Sequence, residues 1–267
     1  MQQQPAWMEK VLKNKKYRTL NLTEETLLDL IAQVEADGIP KKHVEKTVRE
    51  KLHNIVAPYL EDVDYALAEQ ELQTISSEDK KALEYFTEKM LRAHTSTAER
   101  MDILEAFYGY IAAQLPHKQY IRIADYACAM NPFAIQWMQL PSNCEFYAYD
   151  LNGARIDLLN QYFVKCAIQA KAIHCDIIAN PPQEAFTAAF FFKEAHRFEQ
   201  RQKGSTRRFL QQVNAPLIFV SLPARNMTGK HDLSVKHTRI MEEAIAGTGW
   251  QMESKEIGKE LLFIIRK

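Results

Sequence analysis

Three short apolar runs each carry an aspartate at or near their end: Asp125 in IRIADY, Asp150 in EFYAYD and Asp176 in AIHCD. A carboxylate at the end of a strand offers charge-assisted acceptors to a ligand lying across the strand tips. Asp150 suits the paired hydroxyls of a ribose, or else caps the helix that follows. Asp176 suits the exocyclic amine of an adenine, or else closes a turn. Asp125 can fix loop backbone or meet an amino group. The loop after Asp125, ADYACAMNP, has no glycine, although close approach of backbone to a ligand usually calls for one, because glycine tolerates positive φ and has no Cβ. Ala127, Cys128 and Ala129 are small enough to leave almost the same room. Asn131 and Pro132 read as a helix start, with Asn at the cap and Pro in the first turn. Cys128 reads as a small buried thiol rather than a nucleophile.

The elements that must hold these groups come in two styles. From about Trp7 to Leu91 apolar residues recur three and four apart, as in LTEETLLDLIAQVEA and HVEKTVREKLHNIVAPYL, so this part reads as all helix. Thr23 and Ser77 mark helix starts, and Gly38 with Pro40 ends the first of these helices. After Pro116, apolar runs alternate with amphipathic helices: YIRIADY, EFYAYD, AIHCD, FTAAFFF, PLIFVSL, WQMESKEI and ELLFIIRK. That alternation predicts a mostly parallel, seven-stranded α/β sheet ending in an antiparallel hairpin, with a single helical stretch over EAHRFEQRQKGSTRRFLQQV. Such a Rossmann-like layout is that of class I S-adenosylmethionine-dependent methyltransferases. Ligands of open α/β sheets sit at the carboxyl ends of the strands, which adds Phe192 and Lys193 after the fourth strand and Ser221 to Arg225 after the fifth. The expected division is a helical domain over residues 1–92 and a catalytic domain over 93–267.

The formal net charge is zero over 267 residues, so only local clusters can favour a polyanion. Lys10, Lys13, Lys15, Lys16 and Arg18 form one cluster, and Lys41, Lys42, Lys46, Arg49 and Lys51 another. Either can dock on RNA phosphates or be a solvated face. The four cysteines form no CxxC pair, there is no apolar leader, and no run approaches ~18 apolar residues. A reduced, cytoplasmic monomer without membrane or metal is the expectation. ANPPQ, Ala179 to Gln183, reads as a loop, because it follows the third strand and lacks the aromatic residue that amino methyltransferases place after such prolines.

Segments along nearly the whole chain resemble the Arm/Rmt aminoglycoside-resistance 16S rRNA (guanine-N7)-methyltransferases: HTSTAER, ADYACAMNPF, AYDLN, CDIIANPP, FFK with FEQRQKGS, VSLPAR and IGKELLFIIRK. The resemblance implies S-adenosyl-L-methionine as cofactor. Arg100 would neutralise its methionine carboxylate, Asp150 would hold the ribose, Asp176 with Ile177 would frame the adenine, and Leu151 would belong to the same cofactor site. The loop Asp125–Pro132, including Ala127, Cys128, Ala129 and Asn131, would lie along the methionine portion, near Phe192 and Lys193. It further implies the assembled 30S subunit as substrate, with the two basic clusters, Ser221 and Arg225 touching RNA, and resistance to gentamicin- and kanamycin-type drugs as the outcome. Guanine N7 carries a lone pair and no proton, so no catalytic base is expected. Three departures stand out: Ala129 replaces the usual loop glycine, EAHRF replaces an apolar stretch after Lys193, and a Met-Glu-x-Asn-Tyr element is missing. A methyltransferase for another RNA position or a small molecule, or a noncatalytic RNA-binding relative, are the competing readings. The lack of GxGxxG argues against a nicotinamide enzyme.

Overall fold

The structure is a computed structural model of the chain, and it describes residues 5–14, 17, 20–57, 63–116, 120–225 and 232–267. Three helices come first: α1 (Ala6–Leu12), α2 (Glu24–Ala36) and α3 (Lys41–Val56). Thr23 caps α2 through the Thr26 amide, and Gly38, at φ 73°, turns the chain after it. Val44, Val48, Leu52 and Val56 make an i, i+4 stripe along α3, which closes with Met8, Val11, Leu27 and Leu30 into a core of its own.

α4 (Tyr65–Thr74) and α5 (Lys80–Ala93) behave differently. Leu72, Phe86 and Met90 join the cluster that covers one face of the sheet, alongside Phe133 and Tyr162. The expected boundary at residues 92/93 therefore falls inside one packed layer, and the cores separate between α3 and α4. Helical periodicity shows that a segment is a helix but not which core it serves. The start of α5 also shifts: Asp79, not Ser77, is its cap, accepting from the Ala82 amide at 3.0 Å.

After α6 (Thr95–Ala98) and α7 (Leu104–Ala112) come β1 (Ile121–Tyr126), β2 (Cys144–Asp150), α8 (Gly153–Lys165), β3 (Ala170–His174), β4 (Ala188–Phe192), α9 (Ala195–Arg201), α10 (Ser205–Gln212), β5 (Leu217–Pro223), α11 (Ser234–Ile245), β6 (Gln251–Ile257) and β7 (Glu260–Arg266). All seven expected strands form one sheet, in the order β3-β2-β1-β4-β5-β7-β6. β1 to β5 run parallel, and β7 pairs antiparallel with both β5 and β6. Alternate residues serve opposite faces: Ile123, Phe190, Phe219 and Ile264 go to one cluster, and Ala124, Phe191, Val220 and Phe263 to the other. β6 is the charged, exposed edge. The single helix expected between β4 and β5 is two, broken at Gly204 with φ 79°. No helix among the described residues is long and apolar enough to cross a membrane.

The chain order reverses on either side of β1, so a ligand cleft belongs at its carboxyl end. The α1–α3 unit is seated beside that point. Leu151 packs on its core, and Gly153 lets α8 pass so close that a Cβ there would stand 2.8 Å from the Asn21 Cβ.

Candidate cofactor site

The glycine-free loop achieves glycine-like backbone without glycine. Ala127 and Ala129 lie at φ 52° and 46°, a left-handed conformation that costs an L-residue roughly 1–2 kcal/mol. The surroundings hold it. The Asp150 carboxylate accepts the Ala129 amide at 2.9 Å, and the Tyr149 carbonyl accepts the Cys128 amide at 3.0 Å. Ala129→Gly is expected to relieve the strain and stabilise the fold by about 0.5–1 kcal/mol after glycine's entropy in the unfolded chain is counted. In a thermal melt that appears as a rise of ~2 °C. Cys128 is buried, and burial, then Asp150 and Asp125, push its thiol well above the ordinary range, so it is no nucleophile.

Beside this loop lies a cleft of about 430 Å³, a size suited to a nucleoside ligand. Its floor is Ala127, Asp150, Leu151, Asp176 and Ile177. Asp150 accepts from the Asn152 and Ala129 amides and from Arg155, each at 2.9 Å. A carboxylate has about four lone-pair positions, so one acceptor position remains for a ribose hydroxyl. Asp150 does not cap α8; Asn152 does, accepting from the Arg155 amide at 3.2 Å. Asp176 is more heavily committed, taking the Ile178 and Ala179 amides at 3.0 and 3.3 Å and both Nη1 and Nη2 of Arg201 at 3.4 and 3.3 Å. Arg201 also reaches Asp29 of α2 at 2.7 Å, tying the helical unit to the tip of β3. The ANPPQ segment is a loop, as expected.

A second group of expected site residues forms a buried network next to the cleft rather than in its wall. Arg100 is 1% exposed, and it is not the surface arginine paired with Glu99 or Asp102 that local sequence would favour. It donates from Nε to both oxygens of Glu260, at 3.2 and 3.1 Å, and from Nη1 to Asn131 at 2.6 Å. Its guanidinium lies over the rings of Phe107 and Phe192, 4.3 and 4.8 Å from their centroids. Lys193, held at φ 61°, places Nζ 2.7 Å from Glu99 and 3.5 Å from Glu260. Asn131 is not a helix cap. Its side chain joins Arg100, Tyr108 and Asp125 instead, and Pro132 opens a 3-10 helix, Asn131–Trp137.

Asp125 accepts from Asn131 at 2.8 Å through one oxygen, while the other is buried with no partner among the described residues. Burial pushes its carboxyl up to about 8, against the Asn131 hydrogen bond and the Arg100 charge. The folded protein therefore keeps this proton up to about pH 8, whereas the unfolded chain releases it near the ordinary 3.8, so this group subtracts stability progressively as pH rises across that window. Asp125→Asn is expected to match the wild type in urea titrations below pH ~4 and to become the more stable of the two as pH approaches ~8.

The sequence expectation placed Lys51 and Ser221 on RNA, and the structure puts both elsewhere. Lys51 pairs with Asp37 at 2.9 Å and lines the cleft. Ser221 is fully buried, with Oγ 3.5 Å from Arg100 Nη2, where RNA has no access. Arg49 is held twice by Glu45, at 3.0 and 2.9 Å, and Lys13 is paired with Glu9. Lys10, Lys41, Lys42, Lys46 and Arg225 are exposed. Lys15, Lys16 and Arg18 lie outside the described residues. Sequence reasoning marked EAHRF, with Glu194 and Arg197, as a change at the site, but missed Asn54 and Arg201 as cleft residues and Glu260 as the partner of Arg100. Only Glu260 carried a signal, an acid opening the apolar run ELLFII. Within EAHRF, Glu194 and Arg197 pair at 3.2 Å in the cleft wall, while His196 packs away against His237 and is kept neutral, burial pushing it down to about 4.

The fold and a cleft at the strand tips beside the reversal point, lined by Asp150, Asp176, Leu151 and Ile177, define a class I S-adenosylmethionine-dependent methyltransferase. Residues 13–265 match the model of the ribosomal RNA methyltransferase (FmrO) family, and the chain belongs to that family. A 16S rRNA (guanine(1405)-N(7))-methyltransferase of Serratia marcescens is 27% identical over 261 residues, covering 96% of each chain. One from Micromonospora rosea is 24% identical over 261 residues, 96% of this chain and 94% of its own. Among solved structures, the 16S rRNA methyltransferase RmtF in complex with S-adenosyl-L-homocysteine superposes with a TM-score of 0.77 at 22% identity, covering 98% of this chain and 97% of its own. The 16S rRNA methylase RmtB gives 0.75 at 24% identity, over 97% and 96%.

Proposed function

We propose that this enzyme methylates N7 of a guanine in the 16S rRNA decoding site of the assembled 30S subunit, and that the product confers resistance to gentamicin- and kanamycin-type aminoglycosides. The observation that carries the reading is the end-to-end similarity to guanine-N7 enzymes, over 96% of the chain. The cofactor supplies an electrophilic methyl group on a sulfonium sulfur. The protein's own task is placement: Asp150 takes a ribose hydroxyl, Leu151 and Ile177 bracket the adenine, and the Ala127 turn sets the depth of the methionine end. Guanine N7 needs no proton removed, so orientation and exclusion of water carry the rate. This reading places the enzyme in the cytoplasm, acting as a monomer.

Mass mapping of 16S rRNA from cells expressing the protein should show one new 7-methylguanine in the decoding site, together with growth on gentamicin. Unmodified rRNA with unchanged gentamicin sensitivity would overturn the proposal.

The ribosome-docking role falls to the exposed lysines of α3. Lys42 and Lys46 border an open groove with Tyr17, Arg49 and His53, where Glu45 and Glu50 pair with Arg49 and Lys46, and the remaining excess of positive charge suits RNA phosphates. Reversing both to Glu is expected to weaken 30S binding about tenfold or more at low salt, with the deficit shrinking as salt rises. S-adenosylhomocysteine binding should be unchanged in calorimetry.

A further inference from the structure

α3 presents three separate stripes. Val44, Val48, Leu52 and Val56 are buried in the helical unit. Lys42, Lys46, Arg49 and His53 border the open groove proposed to meet RNA, with Glu45 and Glu50. Lys51, Asn54 and Ile55 line the cofactor cleft. The spacing of three and four within each set is that of one helix face, so three duties can coexist on one rod. In the third stripe only Lys51 was expected to touch RNA, and Asn54 and Ile55 have no role in either the methyltransferase fold or the expected RNA contact.

The direction from which α3 enters the cleft follows from its contacts. Leu151, just after β2, packs on the α1–α3 core, and Arg201 joins Asp29 of α2 to Asp176, just after β3. The helical unit thus meets the cleft at the β2–β3 end, away from the Ala127 turn. With the ribose on Asp150, that end is where the adenine lies. The residue expected to take its amine, Asp176, already accepts from four donors, two backbone amides and both Nη atoms of Arg201, one more than Asp150. Lys51 is committed to Asp37. The Asn54 amide is exposed and has no hydrogen-bond partner among the described residues.

We propose that Asn54 is a specificity residue of the cofactor site, its side-chain amide pairing with the exocyclic amine and an adjacent ring nitrogen of the adenine, with Ile55 packing on the purine. A carboxamide carries one acceptor and two donors, which matches an edge presenting an amine beside a ring nitrogen. The inference rests on the placement of the ribose at Asp150. It makes the helical unit part of the cofactor site, so one helix serves both the ribosome and the cofactor.

The test is a double-mutant cycle in calorimetry on the full-length protein, using S-adenosylhomocysteine and its purine analogue with hydrogen in place of the exocyclic amine. Loss of the amine is expected to weaken binding to the wild type about tenfold and to Asn54→Ala hardly at all. Asn54→Asp, which keeps an acceptor for the amine but loses the donor to the ring nitrogen, should retain most of the amine penalty while binding S-adenosylhomocysteine more weakly than the wild type. An equal amine penalty in wild type and Asn54→Ala, or none in either, overturns the assignment. Failure of S-adenosylhomocysteine to bind the wild type at all would instead overturn the ribose placement on which it rests. Neither result depends on rRNA, so the fate of the decoding-site proposal is read separately.

Discussion

Glu260→Ala is expected to destabilise the protein by about 3–5 kcal/mol, the cost of breaking a buried ion pair from one side. Arg100 and Glu260 are 1% and 2% exposed, so no solvent screening softens the loss. The substitution leaves the Arg100 guanidinium with Asn131, Tyr108 and Ser221, none of which carries a compensating charge. It also removes the carboxylate 3.5 Å from Lys193, which then relies on Glu99 alone. Guanidinium denaturation would show the loss as a lower midpoint, and a thermal scan as a fall of ~10 °C. Arg100→Met/Glu260→Met, which removes both charges, should recover much of the stability, because replacing a buried pair with apolar groups is often close to neutral. The same pair sets an acid limit. Burial pushes the Glu260 carboxyl up, but Arg100 and Lys193 outweigh it and hold it below the ordinary 4.5. Its stabilisation is therefore present above about pH 4.5 and is lost as pH falls through the depressed value. The network holds both ends of the loop that carries Ala127 through Asp125 and Asn131, so S-adenosylhomocysteine affinity should fall with stability in Glu260→Ala and return only in part in the double variant.

What the sequence revealed, and what it hid, divides along the range of the interactions. The strands were legible because short apolar runs rich in β-branched or aromatic residues are a local property, and their alternation with helices implies parallel pairing, whereas the order β3-β2-β1-β4-β5 is set by long-range contacts that no local pattern encodes. Asp150 and Asp176 were legible because strand ends mark the ligand side of such a sheet. Arg100 was visible as a residue, but its partner sits 160 positions later, at the start of the antiparallel strand β7, and no local pattern encodes that contact. The helical half misled for the same reason. The stripes on α4 and α5 are as regular as those on α2 and α3, yet Phe86 lies 6.1 Å from Phe133, centroid to centroid, in the sheet's own layer. Lys51 reads like the other lysines of α3, and only the seating of that helix against Leu151 turns it inward. The loop lacking glycine is the reverse case. The sequence rule pointed away from a cofactor turn, and the fold overrides it by fixing Ala129 to Asp150.

That link makes Asp150 the substitution with the largest combined effect. Asp150→Ala is expected to weaken S-adenosylhomocysteine binding by about 100-fold or more while costing about 3–5 kcal/mol of stability, because the side chain does four jobs. It pairs with Arg155, which is fully buried, at 2.9 Å. It holds the Ala129 amide in its left-handed turn, it accepts the Asn152 amide at the entry to α8, and it keeps one acceptor position for the ribose. Asp150→Asn separates these. Its oxygen can still face Asn152 and Arg155, but its amide then points a donor at the Ala129 N–H, so the turn loses its anchor while α8 keeps its own. The expected result is a stability loss of only about 1–3 kcal/mol with most of the affinity loss retained. Arg155→Met supplies the complementary case, since it breaks the ion pair and leaves the carboxylate facing the cleft. It should lose stability but keep S-adenosylhomocysteine affinity within about threefold of the wild type at a temperature where both are folded. If Asp150→Asn binds as tightly as the wild type, the carboxylate is holding the loop and not the ribose.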